Sequence, residues 1–212
     1  APTADAGDDV ETDQGVPVAF DGSGSSDDAG PGIVNYTWEL VDGGALELYG
    51  PAPSHAFPDA GVYPVTLTVE DAAGNAATDT MDVTVLDVTP PVANAGGDMQ
   101  VDQGAKFTLD GTGSSDNVGI VEYAWTLPPG AGAGGVRGAF AGGRATVSGR
   151  GAVGGEKATV SLPEAGAFTI TLTVTDARGN SDTDTLNVTS MDTEPPVASG
   201  KAEVFTEGAG TG

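Results

Sequence analysis

Carboxylates recur in this 212-residue chain at places where oxygen ligands for a metal would be needed. Asp27 and Asp28 follow Ser23-Gly24-Ser25-Ser26, and Asp71 stands before Ala72-Ala73-Gly74-Asn75. The pattern returns as Asp116 and Asn117, then as Asp176 before Ala177-Arg178-Gly179-Asn180, with Asp87 just ahead of Thr89-Pro90-Pro91. Carboxylate and amide oxygens are hard donors. Ca²⁺ gathers roughly six to eight of them at about 2.3–2.6 Å, completing its shell with carbonyls and waters. Asp27, Asp28 and Asp71 are therefore candidate calcium ligands in the first half of the chain, and Asp87, Asp116, Asn117 and Asp176 in the second. The plainer reading of each is a turn residue that accepts its own loop's backbone N–H groups.

Other chemistry is poorly served. The chain has no Cys, which removes thiol catalysis, zinc fingers, iron–sulfur clusters and disulfides. His55 is the only His and sits among Pro and Ser, the composition of a surface loop, so no repeated Ser–His–acid arrangement can be built. Gly130-Ala131-Gly132-Ala133-Gly134-Gly135 fits G-x-G-x-x-G, yet it follows Pro128-Pro129 and leads into no helix. Lys106 precedes core-facing Phe107 and is expected to point outward, away from any isopeptide role. A glycosidase-type carboxylate pair would need a cleft. The expectation is a protein that is not an enzyme.

The elements that position these residues come as a tandem repeat. Ala1-Pro2-Thr3-Ala4-Asp5-Ala6-Gly7 returns as Pro90-Pro91-Val92-Ala93-Asn94-Ala95-Gly96, and Asp13-Gln14-Gly15 as Asp102-Gln103-Gly104. Phe20-Asp21-Gly22-Ser23-Gly24-Ser25-Ser26-Asp27 returns as Leu109 to Asp116, and Tyr36-Thr37-Trp38 as Tyr123-Ala124-Trp125. Apolar residues alternate with period two: Val16, Val18, Phe20; Val34, Tyr36, Trp38; Val65, Leu67, Val69; Met81, Val83, Val85. Module two repeats this with Phe107, Leu109; Val121, Tyr123, Trp125; Phe168, Ile170, Leu172, Val174; Leu186, Val188. Thr fills many outward positions, and Gly, Asp, Asn and Ser turns separate the runs. Short strands with a Trp on the third, and Asp59-Ala60-Gly61-Val62-Tyr63 as a tyrosine corner, predict an all-β pair of immunoglobulin-like sandwiches in a rod-like arrangement. Module two has Phe168 at the corner. In such a sandwich the two acidic loops share one end, where the first strand also enters, so Asp87 is expected to approach Asp116 and Asp176.

The chain carries 31 acidic and 7 basic residues, a net charge of −24. That excludes nucleic acid and anionic membranes as partners and favours cations. No apolar run approaches the ~20 residues of a membrane span. The start at Ala1-Pro2 reads as a processed or truncated end, placing any secretion signal or anchor outside the chain. Module two holds a Gly/Ala-rich insertion, about 128–155, with Arg137, Arg144 and Arg150, and Lys157 just beyond. This is read as a surface loop or as a basic patch that docks on an acidic neighbour. Ala145–Ser148 and Ala158–Ser161 are read as a pair of extra strands. Asn35-Tyr36-Thr37 and Asn187-Val188-Thr189 are N-glycosylation sequons on outward strand positions, at Asn35 and Asn187.

With these motifs in order, the chain resembles tandem PKD (polycystic kidney disease) domains over about residues 1–193, in a style resembling archaeal cell-surface and surface-layer proteins. It departs from the family after the Trp, where Trp-Asp-Phe-Gly-Asp-Gly is common and Trp38-Glu39-Leu40-Val41-Asp42-Gly43 and Trp125-Thr126-Leu127-Pro128-Pro129-Gly130 stand here. That departure predicts loss of the usual hairpin, most of all in module two. The resemblance implies that some relatives bind Ca²⁺ in these two loops through Asp-x-Asp, whose second position is Ala29 or Val118 here.

The expected domains are 1–88, 89–193, and 194–212 as the start of a third module or an orphan strand carrying Ala202, Val204 and Thr206. What the resemblance implies is a non-catalytic extracellular spacer of a cell-surface or filament-forming protein. Its partners would be other copies of itself or other surface-layer proteins. The alternative is an adhesion or ligand-binding accessory module recognising glycan or protein.

Overall fold

A computed structural model describes residues 1–28, 32–128, 152–193 and 195. Arg137, Arg144 and Arg150, the 130–135 glycine motif, the 145–148 segment and the tail from 196 lie outside them.

Module one comprises β1 (Pro2–Thr3), β2 (Val10–Asp13), β3 (Pro17–Ala19), β4 (Ser26–Asp27), β5 (Ile33–Val41), β6 (Ala45–Tyr49), β7 (Ser54–Ala56), β8 (Gly61–Asp71) and β9 (Ala76–Leu86). Module two comprises β10 (Met99–Asp102), β11 (Lys106–Asp110), β12 (Ile120–Thr126), β13 (Ala152–Gly154), β14 (Lys157–Ser161), β15 (Gly166–Asp176) and β16 (Ser181–Met191). The five-stranded sheet runs β2-β9-β8-β5-β6 in module one and β10-β16-β15-β12-β13 in module two. The β3–β7 pair in module one and the β11–β14 pair in module two face these sheets, and β1 pairs with β4. Each edge strand β2 or β10 runs parallel to β9 or β16, while the central pairings are antiparallel.

Two separate cores result. One gathers Phe20, Trp38, Phe57, Leu67 and Val83, the other Leu109, Trp125, Leu162, Leu172 and Leu186. Phe20 stacks on Trp38 with ring centroids 5.2 Å apart. Each Trp satisfies its indole N–H on a backbone carbonyl, Gly50 at 3.1 Å or Gly155 at 3.0 Å. The Asp-Gly step of the repeat has a packing reason. A Cβ on Gly22 would meet Trp38, Tyr36 and Leu67 at 3.2 Å, and one on Gly111 would meet Leu172 at 3.0 Å and Trp125 at 3.2 Å. The bare backbone lets the Trp ring close over the turn.

Several acids serve the fold. Asp79 accepts the Ala6 N–H and Asp184 the Ala95 N–H, both at 2.8 Å. Asp9 and Asp98 accept the Asp82 and Asn187 N–H groups at 2.8 and 2.7 Å. These carboxylates tie the irregular first segment of each module to its last strand. The Tyr63 hydroxyl donates to the Asp59 carbonyl at 2.8 Å, completing the tyrosine corner.

Three readings are corrected. Val34 and Val121 do not share a face with the Trp strand's core residues: a register shift between Ile33 and Asn35, and between Ile120 and Glu122, exposes them, and Ile33 and Ile120 pack inward instead. The post-Trp hairpin does form in module one, where Asp42-Gly43-Gly44 turns β5 into β6 and Gly43 takes φ 66°. Ala158–Ser161 belongs to β14, which pairs with β11 among the described residues, while its expected partner at 145–148 lies outside them. His55 lies on β7, paired with Val18 of β3, and its Nε2 sits 2.8 Å from Asp42 Oδ2.

Candidate metal centre at the module junction

Asp176 ends β15 and turns the chain with its own side chain. Its Oδ1 accepts the Arg178 and Asn180 N–H groups at 2.8 and 2.9 Å, and its Oδ2 accepts Asn180 Nδ2 at 2.7 Å. Asp71 repeats this in module one with Ala73 and Asn75 at 2.8, 2.9 and 2.7 Å. Both carboxyls are held below the usual Asp range. For Asp176 burial works against the shift, and the donors from Asn180, Arg178 and Gly179 overcome it. For Asp71 the Asn75 side chain and backbone dominate.

Asp116 supplies the second loop. Its Oδ2 accepts the Val118 N–H at 2.9 Å and the Gly119 N–H at 2.6 Å, which leaves Oδ1 buried with no hydrogen-bond partner. Asp87 supplies the linker and is 6% exposed. Its Oδ1 accepts the Thr89 N–H at 3.0 Å and Asn117 Nδ2 at 3.1 Å, while Oδ2 is buried without a partner. Asn180 Nδ2 also reaches the Asp87 carbonyl at 3.3 Å. From the other side Gln14 Oε1 accepts the Val88 N–H at 3.0 Å and the Thr89 hydroxyl at 3.2 Å. The linker is thus gripped by both modules.

One ligand oxygen from each of Asp87, Asp116 and Asp176 falls within 4.8 Å of the others. Two like charges at that separation repel by about 3–4 kcal/mol at an effective dielectric near 20. An all-oxygen set with two buried, unpartnered carboxylate oxygens is the chemistry that a hard divalent cation satisfies.

Asn117 turns its amide N–H₂ toward Asp87, so it positions that carboxylate. Among the described residues Asp27, Asp28 and Asp71 form no matching three-carboxylate group. The Asp27 side chain is fully covered, with Oδ1 3.5 Å from the Ala1 amino group, and Asp28 is exposed. Val118, at the second Asp-x-Asp position, is exposed. Lys157 pairs within its own module, 2.7 Å from Asp110 Oδ2. Asn35 is exposed. Asn187 is exposed too, but Thr169 donates to its Oδ1 at 3.0 Å and its Nδ2 lies 3.4 Å from Asp98 Oδ2. Sequence reasoning passed over Gln14 and Asn180. Their signal was recurrence, because Gln103 and Asn75 hold the matching places.

The profile described as "PKD domain" matches residues 1–85, and that described as "K319L-like, PKD domain" matches 95–190. The rat "Dyslexia-associated protein KIAA0319 homolog" is 36% identical over 193 residues, covering 87% of this chain and 17% of the relative. The human "Dyslexia-associated protein KIAA0319" is 36% identical over 199 residues, 88% of this chain and 17% of the relative. "Pre-pro-metalloprotease PrtV" of Vibrio cholerae is 32% identical over 106 residues, 50% of this chain and 11% of the relative. This chain therefore spans a small part of the proteins it matches. The crystal structure of DIP-gamma IG1+IG2 shares the fold at TM-score 0.52 and 13% identity, covering 89% of this chain and 97% of that one. With both modules matched and their sandwiches and Trp-centred cores in place, this chain belongs to the PKD domain family, as two tandem copies.

Proposed function

We propose that this chain is a non-catalytic spacer segment of an extracellular, cell-surface protein, in which Ca²⁺ held by Asp87, Asp116 and Asp176 fixes the linker on module two. The observation that carries the reading is the pair of buried, unpartnered oxygens, Asp87 Oδ2 and Asp116 Oδ1, beside the Asp176 carboxylate. Bound there, the ion would offset two of the three converging negative charges and add a third restraint to a linker already held by Gln14 and Asn180. Consecutive prolines at 90 and 91 favour extended backbone and stiffen the same stretch.

A spacer built this way meets other copies of itself or other surface-layer proteins through its module faces. A glycan-binding role is less well supported, because Tyr49 is the one large aromatic side chain that stands exposed among the described residues. Among those residues no helix is long and apolar enough to cross a membrane.

Calorimetric titration of the full chain with Ca²⁺ tests the metal, and small-angle scattering with and without chelator tests the spacer. The expected result is one saturable site, lost in Asp176→Asn, and a wider spread of inter-module angles after chelation. No binding heat in the native chain, or identical scattering profiles, would overturn the reading.

A further inference from the structure

Glu39 and Glu47 stand directly opposite each other on the outward face of the β5–β6 hairpin, both exposed. Like charges in that position destabilise a sheet, and their own module has no Lys or Arg to offset them, since none occurs before Lys106. Residues 1–88 contain 17 Asp and Glu and no Lys or Arg. Beside the glutamates lies a recess of about 350 Å³ bordered by Val41, Ala45, Pro64 and Thr66. Val41 is 68% and Tyr49 65% exposed, although both sit on a strand face where a polar residue would cost nothing. The Tyr49 hydroxyl donates to Glu47, turning the ring alongside the acidic pair. The strand β6 that carries Glu47 and Tyr49 ends its sheet, with a free edge among the described residues.

Apolar floor, aromatic ring and paired carboxylates together suit one kind of side chain. An Arg lays its aliphatic stem on Val41, stacks its cation beside Tyr49, and splits its fork of N–H donors between two carboxylates. The chain itself provides such residues. Between Glu122 and Glu156 there is no Asp or Glu, and within that acid-free, Gly/Ala-rich stretch stand Arg137, Arg144 and Arg150. The cations and their absence are thus segregated into different modules. We propose that the outward face around Glu39, Glu47 and Tyr49 is an interface that receives the arginine-bearing insertion of a second copy of this chain. This contact uses none of the residues of the candidate metal centre, Asp87, Asp116 and Asp176.

The test is sedimentation velocity on the full chain from micromolar to submillimolar concentration, in about 0.15 M salt, where a Debye length of about 8 Å screens the long-range repulsion of two acidic chains. The expected result is a sedimentation coefficient that rises with concentration for the native chain. Glu39→Lys with Glu47→Lys should abolish the rise, as should Arg137→Glu, Arg144→Glu and Arg150→Glu together. Mixing the two variants in equal amounts should restore it. Asp8→Lys with Glu11→Lys, on the same module, makes the same change of charge and should leave the rise intact. Asp8, Glu11, Glu39 and Glu47 are exposed, and unchanged circular dichroism would report that all the variants fold. A native chain that stays monomeric throughout, a mixture that fails to associate, or an equal loss in the charge-matched control would each overturn the proposal.

Discussion

Asn180 Nδ2 of module two lies 3.3 Å from the carbonyl oxygen of Asp87 in the linker, while still donating to Asp176 Oδ2 at 2.7 Å. One carboxamide thereby builds a loop and fastens a neighbouring element to it. Asn75, its counterpart in module one, makes the loop contacts of the same kind with Asp71.

That difference separates two substitutions. Asn180→Ala should cost module two about 1–3 kcal/mol, because the buried Asp176 carboxylate loses a donor, and should also broaden the inter-module orientation seen by residual dipolar couplings. Asn75→Ala should cost module one a similar amount in thermal unfolding and leave the orientation unchanged.

Ser190 is a polar side chain in an apolar place. It is 3% exposed, its hydroxyl has no partner, and Val85 occupies the matching position in module one. Its strand neighbours across the sheets are Gly166 and Val101, as Gly61 and Thr12 flank Val85. Ser190→Val should therefore stabilise module two by about 1–2 kcal/mol. Calorimetry should show the upper or lower melting transition move upward by roughly 4–8 °C per kcal/mol for a module of this size.

The tyrosine corner is present in one module and missing in the other. Tyr63→Phe removes the bond to Asp59 and should cost module one about 1 kcal/mol. Phe168→Tyr places a hydroxyl at the equivalent corner, where Glu164 occupies the place of Asp59, and should return about as much to module two. Paired denaturant titrations of the two variants check both signs.

Asp110 is held at about 2, first by its bond to Lys157 and then by Thr112. Its folded value lies below its unfolded one, so its contribution is fully present above the unfolded Asp range near pH 4. It is lost as pH falls through about 2. Both partners are about half exposed, and solvent screening keeps the contribution below about 1 kcal/mol. The stability gap between native chain and Asp110→Asn should close over that acid interval and be constant above it. A gap that widens on acidification would contradict the pairing.

The sequence by itself determined the two modules, the central strands of each sheet and the end of the sandwich where the acids gather. Period-two alternation reports burial along one strand, and the tandem copy reports each feature twice, so Val65, Leu67, Val69 and their counterparts were readable. The residue at each bulge was not: the extra residue breaks the alternation there, and nothing local marks Val34 or Val121 as the outward member. The candidate metal ligands were legible as types and as neighbours, since loop position follows from strand order. Which oxygens are left without partners was decided by tertiary structure alone. Asp87 Oδ2 and Asp116 Oδ1 lose solvent only when the linker, the Asp116 loop and the end of β15 close on one another, and Asn117 presents its donor rather than its oxygen only in that packing. The same holds for the Glu39–Glu47 pair. Eight residues apart in sequence they are two unrelated charges, and the register of β5 on β6 sets them face to face.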